Sequence, residues 1–254
     1  MKLVDSHCHL EMVADTDAAL VAARAAGVGL VVTIGIDLPT SRTATELAAR
    51  HAEVYATVGL HPHDAALWSD QFGAELEELA RRPKVVAIGE CGLDFYRNLA
   101  PRDLQERAFI AQIELARRLR LPLVIHVRDA AEEALAVLAR EAQGVTVVLH
   151  CFAMPEFVDE CMARGYYVSF AGNVTFKNAE ALRVAAGRVR EDRLLLETDA
   201  PFLSPVPFRG RPNEPARVAV TAEVVAAARG TSVARVAEIT TANANRVFGL
   251  PDGT

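Results

Sequence analysis

Hydrophobic positions come in short, largely β-branched runs separated by stretches with helical periodicity. Leu3-Val-Asp-Ser-His-Cys-His-Leu10 reads as a strand with alternating faces. Gly29–Ile34, Val54–Val58, Lys84–Ile88, Pro122–Ile125, Val145–Leu149, Tyr166–Phe170 and Arg193–Leu196 read as further strands, buried on both faces. Between them the pattern predicts helices over 15–26, closed by Gly27, over 40–52, and after His63 to Arg82. Others follow over 102–119, 130–141 and 155–164, then one ending near Arg190. The stripe Leu104, Ala108, Ala111, Leu115 and Leu119 makes 102–119 the longest of them. After a Pro-rich loop, 201–215, two more are expected over 216–228 and 233–247.

Eight strands alternating with helices at a spacing of about 30 residues predict a parallel sheet with right-handed crossovers. The expected fold is α/β, a single (β/α)8 TIM-type barrel over residues 1–254. An open doubly wound sheet is the competing topology, but it gathers polar residues at one switch point. Here they stand at the ends of the first, third, fourth, fifth, sixth and eighth strands, which a closed ring brings to one rim.

Composition narrows the function. The chain has 254 residues, 51% hydrophobic, and a net charge of -6, so it does not hold nucleic acid by a basic surface alone. No apolar run approaches the roughly 18 residues of a membrane span. Met1-Lys-Leu-Val leads straight into Asp5 and His7, so no leader is expected. The cysteines Cys8, Cys91, Cys151 and Cys161 form no C-x-x-C pair, and free thiols point to the cytoplasm. Three of them neighbour polar strand-end residues and are expected to face the other way, as small apolar groups.

The candidate chemistry lies in those strand-end residues: His7, His9, His61, His63, Glu90, His126, His150 and Asp199. His7 and His9 share a strand face. Of seven histidines, only His51 falls elsewhere, at a helix C-terminus. Mixed imidazole and carboxylate ligands suit Zn, Mn or Mg. Six strong ligands exceed what one catalytic ion takes from protein, so two divalent metal ions are expected. In that reading His7, His9 and Asp199 serve one ion, His126 and His150 the other, and Glu90 bridges them. Such a pair stabilises both oxygens of a displacement at phosphorus and lowers the pKa of bound water, with Asp199 as general base. Read alone, Asp199 in Glu-Thr-Asp-Ala-Pro also fits a helix N-cap. Pro62 breaks the strand between His61 and His63, so they need not face together. His61 is a candidate proton donor or phosphate contact, and His63 a substrate contact or a turn residue. Asp94 either lines the same mouth or stabilises a turn. The loop Pro207–Pro215 offers Arg209, Arg211 and Asn213 for gripping substrate, guanidinium groups suiting phosphate. Phe95, Tyr96 and Phe208 either stack on bases or pack at the rim.

Val4-Asp-Ser-His-Cys-His-Leu, Gly59-Leu-His-Pro-His, Ile88-Gly-Glu-Cys-Gly-Leu-Asp-Phe-Tyr, Pro122-Leu-Val-Ile-His-Val-Arg, His150-Cys-Phe, Leu196-Glu-Thr-Asp-Ala-Pro and Arg209-Gly…Asn213-Glu-Pro resemble, in this order, the TatD family of metal-dependent hydrolases. The resemblance implies an amidohydrolase-like barrel and a divalent-metal nuclease removing nucleotides from DNA. It implies metal ligands at His7, His9, Glu90, His126, His150 and Asp199. Glu90 stands where related amidohydrolases carry a bridging carboxylated lysine. The expectation is a cytoplasmic deoxyribonuclease, a 3′-5′ exonuclease on single strands or 3′ ends. No obligate protein partner is expected, and the acidic surface permits a monomer. The alternative is a metal-dependent ester or amide hydrolase such as an aminoacyl-tRNA deacylase; a third reading is a non-catalytic metal-bound scaffold.

Overall fold

The structure, a computed structural model, describes residues 2–251; Met1, where the leader reading begins, and residues 252–254 lie outside them. Eight strands form one sheet in sequence order: β1 (Leu3–Cys8), β2 (Val28–Ile34), β3 (Val54–Val58), β4 (Val85–Asp94), β5 (Leu123–Arg128), β6 (Val147–Leu149), β7 (Tyr167–Phe170) and β8 (Leu194–Leu196). The pairings β3 to β4, β4 to β5, β5 to β6 and β7 to β8 are parallel. Just past β8, Ala200 bridges in parallel to Cys8 of β1, which closes the order on itself. This is the expected (β/α)8 barrel.

The helices are α1 (Thr16–Ala25), α2 (Leu38–Arg50), α3 (Asp70–Ala80), α4 (Arg102–Leu119), α5 (Ala131–Glu141), α6 (Val158–Ala163), α7 (Glu180–Arg188), α8 (Val218–Ala228) and α9 (Val233–Phe248). Four of the helix starts carry a capping side chain. Asp15 accepts from Ala18 N–H at 2.9 Å, Ser69 caps α3 and Ser232 caps α9. Asp37 and Thr40 form a reciprocal capping box on α2. Among the described residues no helix is long and apolar enough to cross a membrane.

Contacts divide the chain into two compact units. The first comprises residues up to Val32 and from His150 onward, with β1, β7, β8 and α6 to α9. Its core includes Leu3, Leu20, Val168, Phe170, Val225 and Phe248, all buried. The second comprises Thr33–Leu149, with β3 to β6 and α2 to α5. Leu76, Ile88, Phe109, Ile113, Leu123 and Leu135 fill it.

Three expectations change. The helix expected after His63 to Arg82 is a 3-10 stretch, Pro62–Leu67, followed by α3, because Ser69 starts a fresh helix at Phe72 N–H. β4 runs on to Asp94, so Glu90 lies inside the strand rather than beyond it. β5 likewise runs to Arg128, with Gly92 opposite His126 and Asp94 opposite Arg128. Close backbone approach makes this possible. A Cβ on Gly59 would stand 2.4 Å from the Gly89 carbonyl carbon, so only glycine lets the end of β3 lie against β4.

Candidate metal centre

In the first unit, the end of β1 and the segment after β8 are laced together. Asp199 N–H donates to the His7 carbonyl at 2.9 Å, and His9 N–H to the Ala200 carbonyl at 2.7 Å. Asp199 takes a left-handed φ of 56°, uncommon for a non-glycine residue and held here by those bonds. Its Oδ1 lies 3.7 Å from His7 Nε2 and 3.5 Å from His9 Nε2. The His7 and His150 rings stack at 3.8 Å. No helix follows Asp199, so its N-cap reading falls away.

Two carboxylates behind this group set its orientation. Glu197 Oε1 accepts from Cys151 N–H at 2.7 Å and lies 3.2 Å from His150 Nδ1. A carboxylate only accepts, so His150 carries its proton on Nδ1 and presents Nε2 as a ligand atom. Asp5 takes Thr198 N–H at 2.8 Å and the Thr198 hydroxyl at 2.5 Å, pinning the Glu197-Thr-Asp199 segment to β1. Burial pushes the Asp5 carboxyl up to about 8 against those hydrogen bonds, with the Glu197 charge adding to the rise. For Asp199 burial acts in the same upward direction. The hydrogen bond from His9 and the neighbouring His7, His150 and His9 outweigh it and hold the carboxyl below its usual range.

In the second unit the group is built from consecutive strands. His126 Nδ1 is 2.9 Å from Glu90 Oε1, and its Nε2 is 3.2 Å from Asp94 Oδ2. His63 Nε2 meets the same Asp94 oxygen at 2.8 Å. Burial pushes Asp94 up, but hydrogen bonds from His126, Arg97 N–H and His63 prevail and hold its carboxyl well below the usual range. Asp94 therefore fixes a proton on His126 Nε2. Nδ1 then faces Glu90, and either a second proton or a cation must sit on it. His61 Nε2 is 3.5 Å from Glu90 Oε1. Backbone N–H of His63 donates to His61 Nδ1 at 3.1 Å, so the His61 proton belongs on Nε2. That makes His61 a donor more naturally than a ligand. Pro62 does not part these rings, whose centroids are 4.2 Å apart.

The donor sets fit a divalent ion. The candidate ligand atoms of His7, His150 and Asp199 lie within 4.8 Å of one another. In the second unit Glu90 and His126 offer the candidate ligand atoms, with His61 beside them as the donor. Each set mixes imidazole with carboxylate, and each has a histidine oriented from behind by an acid. Cys8 and Cys91 are buried free thiols, as expected of apolar packing, and burial pushes both well up. Cys161 is buried too, and burial pushes it to about 12. Cys151, expected to pack in the same way, is instead partly exposed. His51 caps the C-terminus of α2, as expected.

The substrate loop divides. Arg209 is exposed, its guanidinium 4.0 Å above the Phe176 ring, and Arg211 is exposed too. Asn213 departs from expectation. It is buried, its amide donates to the Thr198 carbonyl at 2.9 Å, and its Oδ1 accepts from Glu214 N–H. It supports the Asp199 turn from below. Sequence reasoning passed over Asp5 and Glu197 altogether. Asp5 stands two residues before His7, on the same strand face, so the alternation that pairs His7 with His9 already selects it.

A (β/α)8 barrel carrying imidazole and carboxylate groups at its strand ends defines a metal-dependent hydrolase. The chain belongs to the TatD related DNase family, whose pattern it matches over residues 4–249. It is 41% identical to the "Uncharacterized metal-dependent hydrolase YabD" of Bacillus subtilis over 253 residues, covering 98% of this chain and 99% of that one. It is 39% identical to the "3'-5' ssDNA/RNA exonuclease TatD" of Klebsiella pneumoniae, covering 93% of this chain and 92% of the relative. Among solved structures, the TatD homologue YJJV of Escherichia coli superimposes with a TM-score of 0.92 at 28% identity, covering 98% of both chains.

Proposed function

We propose that this chain is a divalent-metal phosphodiesterase that removes nucleotides from the 3′ end of single-stranded DNA, with RNA as a second substrate. Family membership supports the hydrolysis, and the Klebsiella pneumoniae relative, named for exonuclease action on single strands, supports the substrate. The observation that carries the reading is Asp199, an acid held ionised between His7 and His9. The proposed ligands are His7, His9, Glu90, His126, His150 and Asp199, which would hold two divalent ions of Mg, Mn or Zn.

When bound, divalent ions polarise the phosphodiester and bring the pKa of water near neutrality. The side chains do the rest. Asp199 accepts the proton of the attacking water through its carboxylate. His61 holds a proton on Nε2, ready for a phosphate oxygen or the departing 3′ oxygen of the penultimate nucleotide. Arg209, exposed and braced on Phe176, meets phosphate with its guanidinium edge. His63, tied to Asp94, offers a further polar edge to the strand. Glu197 and Asp94 keep two imidazoles turned the right way.

Residues 1–254 are read as one hydrolase domain. Its place is the cytoplasm, which four free thiols favour. Purified protein in Mg or Mn should release nucleotides from single-stranded DNA, and a Glu90→Ala variant should not. Equal release by both proteins would end the proposal. Relatives named for nucleic acid favour the nuclease over the aminoacyl-ester or amide hydrolase.

A further inference from the structure

One loop beside the second ligand group has no part in the chemistry proposed above. It follows β4 and is hung on Asp94, whose Oδ1 accepts from Arg97 N–H at 2.7 Å. Gln105 of α4, fully buried, fastens it from beneath. Its Oε1 accepts from Asp94 N–H at 2.8 Å, and its amide donates to the Ala100 carbonyl at 2.8 Å. Phe95 N–H continues the sheet to the Arg128 carbonyl at 2.9 Å. The loop is therefore a fixed element, not a slack one.

On this rigid base stands Tyr96, 60% exposed. The Arg128 guanidinium lies over one face of its ring at 3.8 Å. Tyr96 is two residues past Asp94, and Arg128 is two past His126. Alternation along β5 thus sends Arg128 to the side from which His126 meets Glu90 and Asp94. The span from Asp94 to Tyr96 is at most about 7 Å of chain. An aromatic ring with one face backed by a guanidinium and the other turned to solvent is a surface for a flat, electron-rich partner. Held there, the guanidinium keeps its N–H edges for a phosphate oxygen.

We propose that Tyr96, backed by Arg128, is the stacking platform for an unpaired nucleobase of the strand being degraded. This rests on the nuclease reading and sharpens it. A base engaged this way must be out of a duplex, so the platform selects single strands, DNA or RNA alike.

Binding and turnover test it separately. Anisotropy of a labelled short single-stranded oligonucleotide, and of the same strand made abasic, gives affinities for wild type, Tyr96→Ala, Tyr96→Phe and Arg128→Gln. Circular dichroism checks that the exposed substitutions leave the fold alone. Wild type should prefer the base-bearing strand. Tyr96→Ala should weaken its binding about tenfold and erase that preference, with KM for nucleotide release rising in parallel. Tyr96→Phe should keep both, and Arg128→Gln should show a smaller loss. A Tyr96→Ala protein that binds the base-bearing strand like wild type overturns the platform. So does a wild type indifferent to the bases. Base-dependent binding lost in Tyr96→Ala, without nucleotide release by wild type, upholds the platform and removes the nuclease reading. Release with Kd and KM unchanged does the reverse.

Discussion

The two compact units each assemble histidines around an acid, and they do so by opposite routes. In the first, the partners come from the two ends of the chain: Asp5 bonds Thr198 across 193 positions of sequence. The result is sealed, with the His7 side chain 1% exposed and Glu197 fully buried. In the second, neighbouring strands β3, β4 and β5 contribute in turn, and the group is more open, with His126 18% and His63 27% exposed. A sealed group suits holding an ion and a poised base, because low dielectric strengthens every charge in it. An open one suits meeting a strand of substrate. Both use the same device, a carboxylate behind a histidine: Glu197 for His150 and Asp94 for His126.

The sharpest way to break this contrast is Asp199→Asn. It removes the proposed base from the sealed group while keeping shape, so kcat should fall by roughly 10²–10⁴ with the fold intact by circular dichroism. Near-normal kcat would move the base elsewhere. Next, Glu197→Gln and Asp94→Asn should each weaken divalent-metal binding by about 10–100-fold in titration calorimetry. Only Asp94→Asn should also raise KM, because Asp94, unlike Glu197, helps hold the loop that carries Tyr96. Identical KM effects from the two variants would erase the distinction drawn between the units.

Backbone approach offers a matched pair of tests. A Cβ on Gly172 would meet the Leu203 carbonyl oxygen at 2.1 Å, and one on Gly59 the Gly89 carbonyl carbon at 2.4 Å. Alanine at either site should cost about 1–3 kcal/mol of stability by chemical denaturation. A neutral result at one site would show that unit to be the more yielding. Arg209→Ala should be milder, raising KM several-fold with little change in kcat, since the phosphate contact proposed for it stands at an exposed position. Unchanged steady-state kinetics would take this loop out of the site.

The smallest effect lies outside both groups. Hydrogen bonds from Arg118 and then Arg81 hold the Glu77 carboxyl below its ordinary 4.5. A lowered carboxyl stabilises the fold above its unfolded value, and that stabilisation is lost as pH falls through the folded value. Glu77→Gln should therefore cost less than about 1 kcal/mol near neutrality and nothing at strongly acid pH. A penalty that persists in acid would point to packing instead of charge.

Much of this molecule is legible in the order of its residues. Strand-length apolar runs located all eight strands, though β4 runs on past Ile88 to Asp94, and helical periodicity located most of the helices. The face shared by His7 and His9 follows from strand alternation, and the family follows from motifs spread along the whole chain. What could not be read locally was direction. That His61 receives a backbone N–H and keeps its proton on Nε2, that Asn213 turns inward to Thr198, and that Asp94 serves two histidines at once depend on partners brought close by sheet register. Alternation along a strand tells which way a side chain points. Which atom it meets there is decided by the neighbouring strand, and only the folded sheet sets that distance.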